Sequence, residues 1–438
     1  MKKALFILSL VTLLVFTTAT AYAQTTNEII VAIDSAKVEF TEDSGSPFVD
    51  ENNRTLVPFR KALETYGATV EWNNEDRVAI AIKGDVKVEV PLDKNYIIIN
   101  GEQKTIDTTA KIVNERTFLP IRAVIEAFDS SVEWDQNLNT VVITTTPVDA
   151  KTIFLNANNK SYEWKSYDAD IKMNMSMPIK DDAGNIYPMN MDINMYMTIF
   201  MNPTLKAKIN ASLEMDAMGQ EITQPIMDMY FSTTNKAFIT YMGINDGSGN
   251  LSWLKSTAED ELLVDMLKYN KETTKQNQEL VEKYTKEVKY FGKYTENGKT
   301  LTRLQYTMSG EIYNDMFSEY LNTMSTSTNE QDIMTVEMFK AFAEGNFGNL
   351  TYIVYIDDAT GEMVKYEMDL GNIMVSLLDG MSGMTGEIPA EEMEVLKQMK
   401  ATIVMEILNI NKAKDFKIPA EALNAPEMPK ELVQPVTQ

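Results

Sequence analysis

From Ile171 onward the apolar residues of this chain fall on every second position. Ile171, Met173, Met175 and Met177 alternate with Lys172, Asn174 and Ser176. The alternation resumes as Met189, Met191, Ile193, Met195, Met197, Ile199 and Met201. It returns as Leu205, Ala207, Ile209, Ala211, Leu213 and Met215, then as Met227, Met229 and Phe231. Successive side chains of a strand point to opposite faces, so period two over such lengths predicts antiparallel strands with one apolar face.

Methionine is an unusual choice for strands, which favour β-branched and aromatic residues. Three uses of the stripe follow from its chemistry. It can fill the irregular gaps of a core, or form an adaptable surface for a lipid or other apolar ligand. It can also hold Cu(I) or silver through thioethers, since Met-x-Met pairs place two soft sulfurs on one face. The candidate ligand-face residues are Met173, Met175, Met177, Met189, Met191, Met195, Met197, Met227 and Met229. Ile193 and Ile199 on the same stripe favour packing over metal, and no metal or other cofactor is expected.

Composition removes whole classes of chemistry. The 438 residues include no Cys and no His. Disulfides, thiolate nucleophiles, imidazole bases and His- or Cys-ligated metals are therefore excluded. The 64 Asp and Glu against 40 Lys and Arg give a net charge of −24, which argues against a surface that tracks nucleic-acid phosphates. Acid pairs such as Asp181/Asp182 and Asp357/Asp358 lie in turns beside Gly, where carboxylates shape the turn. A secreted carboxylate-based hydrolase stays open as an alternative, because two acids need only meet in space. The expected class is nonetheless a non-enzyme.

Residues 1–23 read as an export signal. Lys2 and Lys3 precede an apolar run, and Ala21-Tyr22-Ala23 is a cleavage pattern. No later stretch is long and apolar enough to span a bilayer, so no transmembrane segment is expected in the mature chain. Export without disulfides suits a secreted or cell-wall protein of a Gram-positive bacterium, with a cell-wall component as a second expected partner.

A composition break falls near residue 150. Of the 29 methionines only Met1 precedes it, and of the arginines only Arg303 follows it. The expected layout is a first domain over 24–146, a linker over 147–160, a Met-rich domain over 161–425 and a tail over 426–438.

The first domain carries an internal repeat. Arg54, Thr55, Pro58, Arg60, Glu64, Val70, Glu71 and Trp72 recur 62 residues later as Arg116, Thr117, Pro120, Arg122, Glu126, Val132, Glu133 and Trp134. Pro58 and Pro120 mark helix starts. Phe59, Leu63 and Tyr66, and then Ile121, Ile125 and Phe128, are spaced as helix faces. Gly67 supplies a left-handed cap, with Asp129 in its place in the second copy. The arginines, glutamates and tryptophans of the motif read as ion pairs and packing within each copy.

This doubled N-x-R-T-L-V-P-x-R…E…G-A…V-x-W pattern over ~28–146 resembles the copper amine oxidase N-terminal domain, a stalk module of secreted proteins. The resemblance implies a spacer or surface-interaction domain of repeated β-β-α-β units. In the oxidases catalysis lies in a separate domain with a histidine-held copper, chemistry that a chain without histidine cannot perform.

In the second part, Thr257 with Glu259, Asp260 and Glu261 marks a helix start, and Leu262, Leu263, Met266, Leu267 and Tyr269 form its stripe. Leu280, Val281, Tyr284 and Val288 supply another stripe after the polar Lys271–Gln278 stretch. Ser309 caps a helix through about Met324, and Ser382–Gly386 reads as a flexible insertion. Asn297-Gly298 and Asp357–Gly361 mark hairpins, Thr402–Asn409 a late strand and Pro419 a closing turn. This order over ~155–425 resembles the LolA-type lipoprotein carriers, in which a bent antiparallel sheet wraps helices and can hold an acyl chain. The expected fold class is therefore α+β: a repeated β-β-α-β stalk plus an antiparallel half-barrel sheet packed on helices. The expected function is a secreted, non-catalytic envelope binding or scaffold protein with an apolar ligand.

Overall fold

The computed structural model describes residues 28–180, 186–201, 204–217, 220–245, 250–259, 271–312, 349–371 and 398–428, with Val264 and Asp315. The export signal, the Asp181–Asn185 turn, most of the helix expected after Thr257, the helix after Ser309 and the Ser382–Gly386 segment lie outside these residues. The chain is mostly β, with a curled half-barrel sheet and an extended antiparallel sheet. It divides into two compact units, one of Ala23–Ala150 with Lys289–Leu304, the other of Lys151–Val288 and Gln305–Gln438.

In the first unit both motif copies run strand, helix, strand, strand. Thr55–Pro58, Phe59–Tyr66, Thr69–Asn73 and Val78–Lys83 form the first, and Arg116–Pro120, Ile121–Glu126, Ser131–Asp135 and Thr140–Thr144 the second. The two copies meet at equivalent residues. Val57 pairs with Leu119, its counterpart 62 residues on, while Leu56 faces Pro120 and Pro58 faces Phe118. Tyr66 and Phe128, also counterparts, place their rings 5.7 Å apart. Val57, Leu63, Leu119 and Ile125 are fully buried in the shared core.

Each proline sits one position earlier than expected. Pro58 has ψ 116° and belongs to the strand, so the helix starts at Phe59; Pro120 does the same before Ile121. The ring fixes φ while ψ stays extended, which suits the bend from strand to helix. Gly67 ends the first helix at φ 89°, a conformation costly for a residue with a Cβ. Asp129 reaches φ 59° in the second copy.

The Met-rich part of the chain is built on an eleven-stranded sheet. In spatial order its strands are Leu251–Ala258, Phe238–Asn245, Gln220–Thr233, Lys206–Ala217, Ile186–Phe200, Ser166–Lys180, Lys400–Leu408, Met363–Asp369, Asn349–Asp357, Lys299–Ser309 and Thr285–Glu296. The period-two reading thus holds over four long neighbouring strands. Ala150–Ser161, within the expected linker, is helical. The polar stretch after residue 271 is helical too, in one helix Lys271–Tyr284. Lys, Glu and Gln are good helix formers, and Lys275 pairs with Glu279 one turn on at 3.2 Å. Val288, expected on the helix stripe, lies instead in the strand Thr285–Glu296.

Candidate functional site

The strand register assembles the alternating residues into one apolar face. One row crosses eight strands as Val354, Tyr366, Met405, Ile171, Met195, Ala211, Met227 and Ile244. The next row runs Ile407, Ala169, Met197, Ile209, Met229 and Met242. At ~4.8 Å between strands, six strands make a face about 24 Å wide.

Burial grades along this face. Met173 is 1% exposed, and Met195, Met197, Met227 and Met229 are 3–4% exposed. Met175, Met189 and Met191 are half-buried. They lie together, because Met175 is paired with Met191 and the next pair along is Met177 with Met189. The structure therefore brings the nine candidate methionines onto one sheet, with Met173, Met195, Met197, Met227 and Met229 in a closed middle and Met175, Met189 and Met191 at a partly open end. Each buried methionine contributes about 1.5–3 kcal/mol through its apolar surface.

The other end is aromatic. Tyr167 lies on the same face, across from Ile199, and its ring meets Trp164 edge-on at 5.3 Å. Trp164 donates its indole N–H to Glu362 Oε2 at 2.7 Å. Burial pushes the Tyr167 hydroxyl up to about 12. Burial also pushes the Tyr366 hydroxyl up, and Tyr167, Tyr162 and Glu362 act the same way. Both phenols stay neutral near pH 7, so neither adds charge to the apolar face. No single signal in the sequence marked these tyrosines, which lie on strands about 200 residues apart in the chain, with Lys400–Leu408 between them in the sheet.

The wet face carries matching polar pairs. Asn174 Nδ2 donates to Asp192 at 2.7 Å, Asn210 to Asp228, and Thr198 Oγ1 to Asp168 at 2.7 Å. Cross-strand pairs of this kind stabilise a sheet by about 0.2–1 kcal/mol each.

The buried carboxylates have structural partners. Asp357 accepts backbone N–H bonds from Ala359 and Thr360, as a turn-forming acid does. Glu367 accepts the Tyr355 hydroxyl. Asp135 is ion-paired with Arg303, both 2% exposed. Burial raises the Asp50 carboxyl, but the Thr108 hydroxyl and the N–H groups of Arg54 and Asn52 outweigh it and hold it below the ordinary range.

The repeat-motif residues sit as follows. Arg60 pairs with Glu64 at 3.4 Å and Arg122 with Glu126 at 3.6 Å, one turn apart in each helix. Arg54 pairs with Asp107 at 2.6 Å. Arg116 Nε donates to the Asp43 carbonyl at 2.8 Å. Trp72 and Trp134 pack half-buried against the core. The structure does not gather these side chains into one cleft. Among the described residues no group of three acids could hold a metal ion. The histidine-held copper of the oxidases also has no ligands in this sequence.

Comparison with known proteins adds the following. Residues 32–143 match the copper amine oxidase N-terminal domain, within the span expected from the motif. No curated protein matches the chain. Among solved structures, LprF from Mycobacterium bovis is similar at a TM-score of 0.31 and 11% identity, covering 63% of this chain and 97% of that one. Lipoprotein LppX from Mycobacterium tuberculosis has a TM-score of 0.29 and 9% identity, covering 62% of this chain and 100% of that one.

Proposed function

We propose that this chain is a secreted, non-catalytic binding protein of the cell envelope whose methionine face accepts an apolar ligand such as an acyl chain. The observation that carries the reading is the gradient on that face. Its buried middle is continuous in register with the half-buried Met175, Met189 and Met191. Methionine side chains are unbranched and polarizable, so they can repack around an inserted chain. Each methylene that the face buries contributes about 0.8 kcal/mol, so affinity grows with the length of chain it covers. In this reading the doubled N-terminal unit is a spacer or scaffold toward the cell wall, and residues 1–23 direct export.

Titration of a fluorescent fatty-acid analogue into the full chain tests the proposal. The expected result is saturable binding that Met191→Glu weakens at least tenfold, because a carboxylate there must be desolvated. Equal uptake by the two proteins, or none by either, would overturn it.

A second reading rests on the adjacency of the Met175–Met191 and Met177–Met189 pairs, which suits soft-metal binding by thioethers. Cu(I) titration against a competing chelator separates it from the first. Binding lost in Met175→Leu/Met191→Leu would favour metal, whereas apolar-ligand affinity should survive that change.

A further inference from the structure

The wet face of the same sheet carries a cavity of about 340 Å³ lined by Asp168, Tyr196, Thr198, Asn409, Lys412 and Lys414. Its floor is a buried acid. Asp168 is 5% exposed and accepts Thr198 Oγ1 on one oxygen and Asn409 Nδ2 on the other, each at 2.7 Å. A carboxylate offers about four acceptor positions, and with the Tyr196 hydroxyl as a third donor Asp168 keeps one for a hydroxyl donor in the cavity. The lining includes one exposed ring, and an exposed leucine stands nearby. Tyr196 is 42% exposed, and Leu408, paired directly across from Asp168, is 38% exposed. Burial pushes the Tyr196 hydroxyl up, and so do the Asp168 charge and a hydrogen bond to that carboxylate, so the hydroxyl stays neutral with its proton turned to Asp168.

The wall is a fixed loop. Asn409 at φ 51° and Asn411 at φ 57° both adopt the left-handed conformation, which persists where the surroundings enforce it. They do so here. Asn409 holds Asp168, while Asn411 accepts the Lys165 N–H and donates its own N–H to the Ser166 carbonyl, each at 2.7 Å. Beyond them Lys206 engages Asp415, the one acid of the loop. Lys412 and Lys414 are left exposed at the cavity, and among the described residues no ion pair engages either. In a chain of net charge −24, two uncommitted lysines beside a buried acid and an exposed ring are a specific arrangement.

We propose that this cavity binds a hydroxyl-rich anion the size of one sugar ring, a uronate or a sugar phosphate. Lys412 and Lys414 take the anionic group as point charges. Asp168 accepts one ring hydroxyl and the Tyr196 oxygen, its own proton held by Asp168, accepts another, while the Tyr196 ring packs on the apolar side of the sugar. The volume lies at the small end of ligand pockets, which suits a single ring. This site is separate from the methionine face and does not depend on it.

Isothermal titration of the full chain with glucuronate and with glucose 6-phosphate tests the assignment, with glucose and inorganic phosphate as controls. Both anionic sugars should bind more tightly than either control. Lys412→Gln/Lys414→Gln should bring them to the affinity of glucose, a loss of about tenfold or more for removal of charge-assisted bonds. Tyr196→Ala should weaken every sugar about tenfold and leave inorganic phosphate unchanged. These side chains are exposed, so unaltered thermal unfolding of each variant confirms that the loss is local. No binding of either anionic sugar at millimolar concentration would overturn the proposal. So would inorganic phosphate binding as tightly as glucose 6-phosphate, or a lysine variant that binds like the wild type.

Discussion

Arg303→Met should destabilise the unit that contains residues 23–150 more than any surface change could. Arg303 and Asp135 are each 2% exposed and ion-paired. The guanidinium also lies 5.4 Å from the centre of the Phe291 ring. Methionine keeps most of the stem volume, so little cavity forms and the main cost is the stranded Asp135 charge. Breaking one side of a buried pair costs about 3–5 kcal/mol. For a unit of this size that corresponds to a fall in Tm of roughly 10–15 °C. Asp135 has a second duty, accepting the backbone N–H groups of Asn137 and Leu138 at 3.1 and 3.3 Å. Asp135→Asn keeps that acceptor without the charge. The double variant Asp135→Asn/Arg303→Met should therefore recover all but ~1–2 kcal/mol of the loss. Differential scanning calorimetry of the full chain reads both numbers. The reasoning is refuted if Arg303→Met unfolds within ~0.5 kcal/mol of wild type, or if the double variant is no more stable than the single one.

Other outcomes can be checked on the same protein. Met173→Ala, at a 1% exposed position, should cost about 2–5 kcal/mol in denaturant unfolding, whereas Met191→Ala at the half-buried end should cost clearly less. Gly243→Ala should cost about 1–3 kcal/mol and shift Trp emission, because the added Cβ would stand 2.9 Å from the Trp253 ring. The Asp50 and Asp107 carboxyls are held below their ordinary value of 3.8. Their contribution is therefore complete above that value and is lost as the pH falls through their folded-state pKa. Asp50→Asn should flatten the acid limb of the stability–pH curve below about pH 4 and leave the slope above pH 6 unchanged.

Much of this architecture is legible in the residues. Period two from Ile171 specifies which side chains share a face, because a strand has only two faces. The doubled motif, its helices and the Gly67 cap follow from local chemistry. Three things depend on distant pairing and escape that reading. The sheet order places Ser166–Lys180 beside Lys400–Leu408, and no local pattern links segments more than 200 residues apart. The burial of Arg303 against Asp135 is equally non-local. Its only trace in sequence is that arginine is otherwise absent after Arg122. The Asp168 cavity combines two strands with a loop held by left-handed asparagines, and Asn is common enough in turns that this reads as ordinary punctuation. The Thr285–Val288 segment misleads for a different reason. Its spacing continues a helical stripe, but strand pairing overrides that weak preference.

Native mass spectrometry of the full chain, collected without detergent, bears most directly on the central claim that the methionine face holds an apolar ligand. The prediction is a mass increment that organic extraction removes, that returns on incubation with fatty acid, and that is diminished in Met191→Glu. A chain that always flies at its bare mass, before extraction and after incubation with fatty acid, would contradict it and leave the methionine face as core alone.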